Sequence, residues 1–395
     1  MHSSDGCRIL RSTMNQSFRR AAVGIPGFCA FLNLYGPQSL LPTLAREFET
    51  TPAQISLAMT ATTLAIAISA PFAGAIADVL GRKRVIVAAM LVATFPLVMI
   101  ALAPSLHLLI FWRFMLGLAL PPIFTVVVAY IGEEWPASQA TGVTGIYMAA
   151  TSIGGFSGRL LAGLLNDTVG WRAGFLAMAA LTFACGLAVA VILPRERNFT
   201  RSEGIAASGR QMLAHLRNGQ LLATYAVGFG TLFNFVALFT YINFVLAAPP
   251  YNLSASLLGA VFVTYLVGAF AVLWLGPAIV RFGRRPLVIG AIMIWMCGAL
   301  LTLVPTLPAI IAGLAIAASG GFIVQATATA YVALTAETGR TSAIGFYATA
   351  YYIGGSIGAT LPGLTWSVGG WPACVAMVVT MLAAMIVLIL LGWRR

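Results

Sequence analysis

Acidic side chains are scarce in this sequence. Ten Asp and Glu stand against 22 Lys and Arg in 395 residues, and all ten lie in tails, loops or the ends of apolar runs. A carboxylate at mid-membrane depth, the usual carrier for an intramembrane proton, is therefore missing. Histidine does not replace it, because His2, His107 and His215 lie in a tail or near loops. Cysteine is sparse too: Cys7, Cys29, Cys185, Cys297 and Cys374 are scattered, four of them inside apolar runs, which suits neither a disulfide framework nor a zinc site. With 8% charged residues there is too little polar surface for an ordinary water-soluble fold. The apolar runs hold no nucleophile, acid–base pair or metal cluster, and no nucleotide loop joins them, so neither an enzyme nor a bound cofactor is expected.

What the chain has in abundance is apolar sequence: 60% hydrophobic residues and a mean hydropathy of +0.95. Spans of roughly 20 residues with short loops account for nearly all of it. The hydropathy predicts helices near 20–42, 54–77, 85–103, 106–131, 139–165, 171–193, 220–247, 255–280, 286–304, 308–332, 341–365 and 371–392. Three internal echoes organise them. Tyr147, Gly154, Gly155, Gly158, Gly163, Gly170 and Trp171 recur at an offset of 200 as Tyr347, Gly354, Gly355, Gly358, Gly363, Gly370 and Trp371. Asn33 recurs as Asn234, and Gly74, Gly81, Arg82 and Lys83 recur as Gly276, Gly283, Arg284 and Arg285. A chain that repeats once in apolar sequence predicts an all-α membrane protein, with twelve transmembrane helices in two pseudo-symmetric six-helix bundles. The expected division is a cytoplasmic tail over 1–19, a first bundle over 20–193, a cytoplasmic linker over 194–219 and a second bundle over 220–395. A short surface helix around Arg210–Arg217 is compatible with the linker, and residues before Met14 carry no expected fold.

Orientation follows from the cations. With both termini cytoplasmic, 18 of the 22 Lys and Arg fall in tails and inner loops, and the outer loops keep only Arg46 and Arg172. The net charge of +12 is thus spread along one membrane face; it calls for contact with membrane lipid and for no nucleic acid. The basic N-terminus precedes an apolar stretch longer than a signal-peptide core, which reads as an uncleaved first helix.

The loop Gly74-Ala-Ile-Ala-Asp78-Val-Leu-Gly81-Arg82-Lys83, between the second and third spans, resembles the signature loop of the major facilitator superfamily. Within that superfamily the chain looks like the bacterial twelve-helix efflux permeases of the drug-proton antiporter and arabinose-efflux type. Gly74 and Gly81 allow close approach and a tight turn. Asp78 is suited to accept hydrogen bonds from a helix N-terminus across the interface, while Arg82 and Lys83 can hold Asp78, Glu133 or Glu134. The resemblance implies a gate; the alternative is an ordinary basic turn. The second copy has Val280 where the Asp would stand, so the latch is one-sided.

Two arginines lie inside spans, Arg113 in the fourth and Arg159 in the fifth. Each is suited to draw a carboxylate or phosphate into the bundle, and each is equally suited to bond helix carbonyls or to snorkel outward. For Arg159 a structural or gating role is the leading reading. It stands where the superfamily's glycine-rich fifth-helix motif carries proline, within Gly154-Gly155-Phe156-Ser157-Gly158-Arg159, and Gly154 and Gly158 allow helices to pack closely. Other polar residues on apolar helices are Asn33 and Gln38 in the first span, Thr231, Asn234 and Tyr241 in the seventh, and Gln325 and Thr329, which share a face with Phe322, in the tenth. The resemblance puts these helices around a central path. The expected substrate set is therefore Asn33, Gln38, Arg113, Asn234, Tyr241 and Gln325, with interhelical hydrogen bonding as the alternative.

The expectation is a monomeric secondary transporter in the bacterial cytoplasmic membrane, moving a small organic solute by alternating access. Export is the leading direction, with protons as the coupling ion the resemblance implies. An uptake carrier or anion exchanger is the first rival, and a non-transporting membrane sensor or scaffold the second.

Overall fold

The computed structural model describes residues 19, 21–196, 217–336 and 340–393. The N-terminal tail to residue 18 and most of the expected linker and its surface helix lie outside the described residues. Among the described residues there are helices and turns and no strand, as the backbone demands where water is absent and every N–H and C=O must be paired within the segment.

The first half begins with α1, helical over 21–35, tightened into a 3-10 turn at Gly36–Leu40 and continued over Leu41–Glu47. Pro37 in that turn has no N–H to give the helical ladder. There follow α2 (Pro52–Leu80), α3 (Arg82–Ala101), α4 (Leu106–Glu134), α5 (Ala137–Val169) and α6 (Trp171–Ile192). The second half comprises α7 (Gly219–Ala247), α8 (Ala255–Phe282), α9 (Arg284–Leu301), α10 (Leu307–Thr335), α11 (340–369) and α12 (371–392). Local chemistry sets the starts. Thr51 and Gln54 form a capping box ahead of Pro52, and Ser105, Asn218 and Ser254 each cap the helix that follows.

Two elements differ from the simple rods predicted. Helix α8 is broken into Ala255–Val261, Thr264–Ala271 and Leu275–Phe282, with Phe262 at the first break. Between α11 and α12 there is no loop: the helix passes through Gly370 at φ 60°, a left-handed conformation that glycine adopts without a Cβ clash. Gly170 makes the equivalent turn before α6 at φ +95°.

The two halves repeat one packing scheme. α2 packs on α4 and α3 on α6, as α8 packs on α10. Side chains on Gly154 and Gly158 of α5 would run into the backbone of Phe28 and Leu32 in α1, while Gly354 and Gly358 of α11 meet Phe229 and Phe233 of α7 in the same way. Across the halves the scheme exchanges: Gly163 of α5 abuts Ala255 of α8, and Gly363 of α11 abuts Ala53 of α2.

We call the end carrying the α2–α3 and α8–α9 turns, with the start of α1 and the end of α12, the terminal face. The halves are joined at the opposite end and part toward the terminal face. Thr60 and Thr63 of α2 bond Ser356 and Thr360 of α11, and Ser56 of α2 bonds Tyr241 of α7. The Asp167 carboxylate at the end of α5 accepts the N–H groups of Ala255 and Ser256, at 3.2 and 2.9 Å, where the positive end of α8 favours an anion. Gly145 lies five helical turns from Gly163 on the same face of α5, about 27 Å away, and a side chain there would meet nothing within 4 Å. Gly345 bears the same relation to Gly363 on α11.

Candidate functional site

The site is built where the halves close. Arg159 of α5 is 1% exposed and aims its guanidinium at the 3-10 turn of α1. Its Nε and Nη2 both donate to Gln38 Oε1, at 2.9 and 2.5 Å, and Nη1 donates to the Gly155 carbonyl at 2.8 Å. Gln38 donates in turn through Nε2 to Thr240 Oγ1 of α7 at 2.9 Å, so the Arg159–Gln38 pair spans the seam. Ser39 fixes the base of the arrangement by donating to the Arg159 carbonyl. Three rings crowd the guanidinium carbon: Phe262 at 4.0 Å, Tyr35 at 4.5 Å and Tyr265 at 5.0 Å from their centroids. Two of the three come from α8 of the other half.

Aromatic side chains continue from this point toward the terminal face along both halves. On one side Tyr35 touches Phe31, Phe31 touches Phe124, and Phe124 reaches across to Tyr352 of α11. On the other, Tyr265 touches Phe322 of α10. Gln325 and Thr329 follow Phe322 on the same face, Gln325 half-buried and Thr329 exposed.

Arg113 is differently placed. It is fully buried in α4 and donates to the carbonyls of Ala58 (3.2 Å), Asn33 (2.9 Å) and Leu34 (2.9 Å), with Met59 Sδ at 3.8 Å. It ties α4 to α1 and α2, about one turn of α1 from the level of Arg159. Neither buried arginine has a carboxylate within ion-pair distance among the described residues. The remaining polar set holds helices together: Asn33 donates to Thr182 of α6, Asn234 to the Gly230 carbonyl and Met385 Sδ, and Tyr241 to the Ala359 carbonyl.

At the terminal face the signature loop makes ion pairs with its own half. Arg82 pairs with Asp78 at 2.7 Å and holds Glu133 through two bonds, Nη2 at 2.7 Å and Nε at 3.2 Å. Gly81 turns at φ +93° with Glu196 against it, and Glu196 accepts the Lys83 backbone N–H. Glu134 sits beside Glu133 in the last turn of α4, and Gly74 faces open space. A separate recess of about 1970 Å³ opens at this face between Arg217, Arg284, Arg285, Tyr331 and Trp393; it belongs to the second half alone and lies away from the seam.

The Major Facilitator Superfamily model matches residues 24–271 and 227–395. The chain belongs to the major facilitator superfamily. It is 32% identical over 357 residues to the MFS-type transporter YybF of Bacillus subtilis (strain 168), covering 90% of this chain and 88% of that one. It is 32% identical over 372 residues to the inner membrane transport protein YnfM of Escherichia coli (strain K12), covering 93% and 88%. Solved structures of the same fold include the nucleoside transporter NupG (TM-score 0.79, 14% identity, 95% of this chain and 100% of that one). An inward-facing, occupied bacterial homologue of the human lysosomal transporter Spinster matches at TM-score 0.74 and 14% identity, covering 95% of each chain. The human organic anion transporter MFSD10 matches at 0.73 and 17%, covering 94% and 99%. This superfamily member is a multi-pass membrane transporter, and as such not an enzyme.

Several residues of the site were not singled out from sequence. Thr240, Ser39, Phe262 and Tyr265 give no motif, because an aromatic or hydroxyl on an apolar helix is common. Asp167 did leave a signal: an acid in the last turn of α5, facing a Ser-capped helix start at Ser254.

Proposed function

We propose that this superfamily member is a secondary active transporter that exports a small organic solute across the bacterial cytoplasmic membrane by alternating access. The bundles over 20–193 and 220–395 would tilt against each other, joined by the linker over 194–219, with both termini in the cytoplasm. The observation that carries this reading is the contrast along single helix faces: Gly163 and Gly363 are jammed against the other half, and Gly145 and Gly345 look into open space. Described cations Arg82, Lys83, Arg84, Arg195, Arg217, Arg281, Arg284 and Arg285 mark the parted end, which supports its assignment to the cytoplasm and so to loading from inside. The ion pairs that Asp78 and Glu133 make with Arg82 fit a gate whose members bond one another at the parted end. When the terminal face shuts, Asp78 with Gly74, Gly81 and Lys83 would meet the other half, and Gly154, Gly158 and Arg159 are the packing surface about which α5 moves.

Of the expected substrate contacts, Gln38 and Gln325 lie along the seam and are retained as solute contacts. Asn33, Arg113, Asn234 and Tyr241 are assigned to holding the helices. A second reading is favoured by one observation. No described Asp or Glu is buried, whereas Arg159 at the seam is; this speaks for exchange of an organic anion and against a proton carried on a buried carboxylate.

Counterflow in proteoliposomes of the purified protein, run in both orientations with an imposed pH gradient, tests the set. Export is expected from the terminal-face side, with exchange insensitive to the gradient. Uptake from the opposite side overturns the direction, acceleration by the gradient overturns exchange in favour of proton coupling, and no movement of any tested organic solute favours a sensor.

A further inference from the structure

Arg159 and Arg113 are both buried guanidinium groups, but their bonding differs. Arg113 spreads three bonds over carbonyls of two helices of its own half and turns a fourth toward Met59 Sδ. Arg159 places two of its bonds on one oxygen of Gln38 and a third on the carbonyl of its own helix four residues back. Three of its five N–H donors are thereby used, and two remain without an acceptor in a side chain that is 1% exposed. The rings of Phe262, Tyr35 and Tyr265 crowd the guanidinium carbon without accepting its N–H donors, which lie in the plane of the group. In-plane donors of a guanidinium suit the two oxygens of a carboxylate.

The surroundings select further. Tyr35 and Tyr265 are half-buried, and Tyr265 leads through Phe322 to Gln325 and exposed Thr329, along a wall that is mostly aromatic. Such a wall accepts a flat apolar body and offers few of the donors a sugar or a doubly charged phosphate requires. The second buried cation, Arg113, is fully enclosed between α1 and α2 by three carbonyls and Met59 Sδ, and supplies no second anchor.

We propose that Arg159 is the recognition point for the carboxylate of a small aromatic or similarly apolar monocarboxylic acid, whose ring lies along Tyr265 and Phe322. This rests on the reading that a solute moves between the halves, and names its class. Occupation would draw Arg159 away from Gln38 and loosen the bond from Gln38 to Thr240, so that ligand binding reaches the seam.

The test uses purified full-length protein and three probes of one shape: benzoate, the neutral benzamide and the cationic benzylammonium. Benzoate is expected to stabilise the wild type against heat at concentrations at least tenfold lower than benzamide, with no effect of benzylammonium. Arg159→Gln is expected to abolish the preference for benzoate, and Arg159→Lys to retain part of it. Equal binding of benzoate and benzamide by the wild type overturns the proposal without any variant, and so does an undiminished preference in Arg159→Gln. If Arg159→Gln does not fold, Arg159→Lys and the wild-type ranking decide. Benzoate binding at Arg159 without counterflow would sink the transporter reading and leave the site. Counterflow of a neutral or cationic solute without benzoate binding would do the reverse.

Discussion

A buried guanidinium is costly unless its donors find acceptors, and the two in this chain meet that cost in different ways. Arg113 binds carbonyls of two neighbouring helices and Met59 Sδ, which makes it part of the first half's frame. Arg113→Gln is therefore expected to lower stability by about 1.5–3 kcal/mol, the range for losing a hydrogen bond to a charged group, and thermal melting in detergent measures it. An unchanged melting temperature would contradict the structural role. Gln38→Ala removes both the acceptor for Arg159 and the bond to Thr240. It is expected to raise the reactivity of a cysteine placed at Ser56, a fully buried seam position; equal reactivity would show that Gln38 does not hold the halves. That these arginines lay inside spans was legible in the sequence, since charges there are rare. Their partners were not, because carbonyls are invisible in a sequence and Gln38 is bent toward Arg159 by a 3-10 turn at Pro37.

At the scale of the helix, glycine spacing determines which pairs touch. Gly154, Gly158, Gly354 and Gly358 each admit a neighbouring backbone where a Cβ would collide. Gly354→Ala is expected to cost about 1–3 kcal/mol as overpacking, whereas Gly145→Ala, in open space, is expected to stabilise by up to about 1 kcal/mol through helix propensity. Denaturant or thermal unfolding of the two variants distinguishes them, and equal effects would contradict the parted face. The echo at an offset of 200 makes this repeat legible in the sequence, and its paired Gly170 and Gly370 both take a positive φ. The break in α8 at Phe262 was not readable. No proline marks it, and its cause is tertiary: the segment turns so that Phe262 and Tyr265 close over an arginine from the other half.

At the scale of the molecule, exposed apolar side chains such as Leu64, Ile68, Phe72 and Ile76 recur every four residues along α2 and present a greasy outer surface, as a lipid-embedded bundle requires. The seam is sealed at one end by contacts between α2 and α11, α5 and α8, and α1 and α7. The account's central claim is that the two ends of this seam are reciprocal. It is tested most directly in nanodiscs, with the native cysteines replaced and new ones placed at Gly145, Gly345 and Ser56. Bis-maleimides of graded length across 145 and 345 draw the terminal face shut, and a third-site readout follows the thiol at 56. The account predicts that a short clamp makes position 56 reactive and a long clamp leaves it protected. A thiol at 56 that stays protected under every clamp would contradict it.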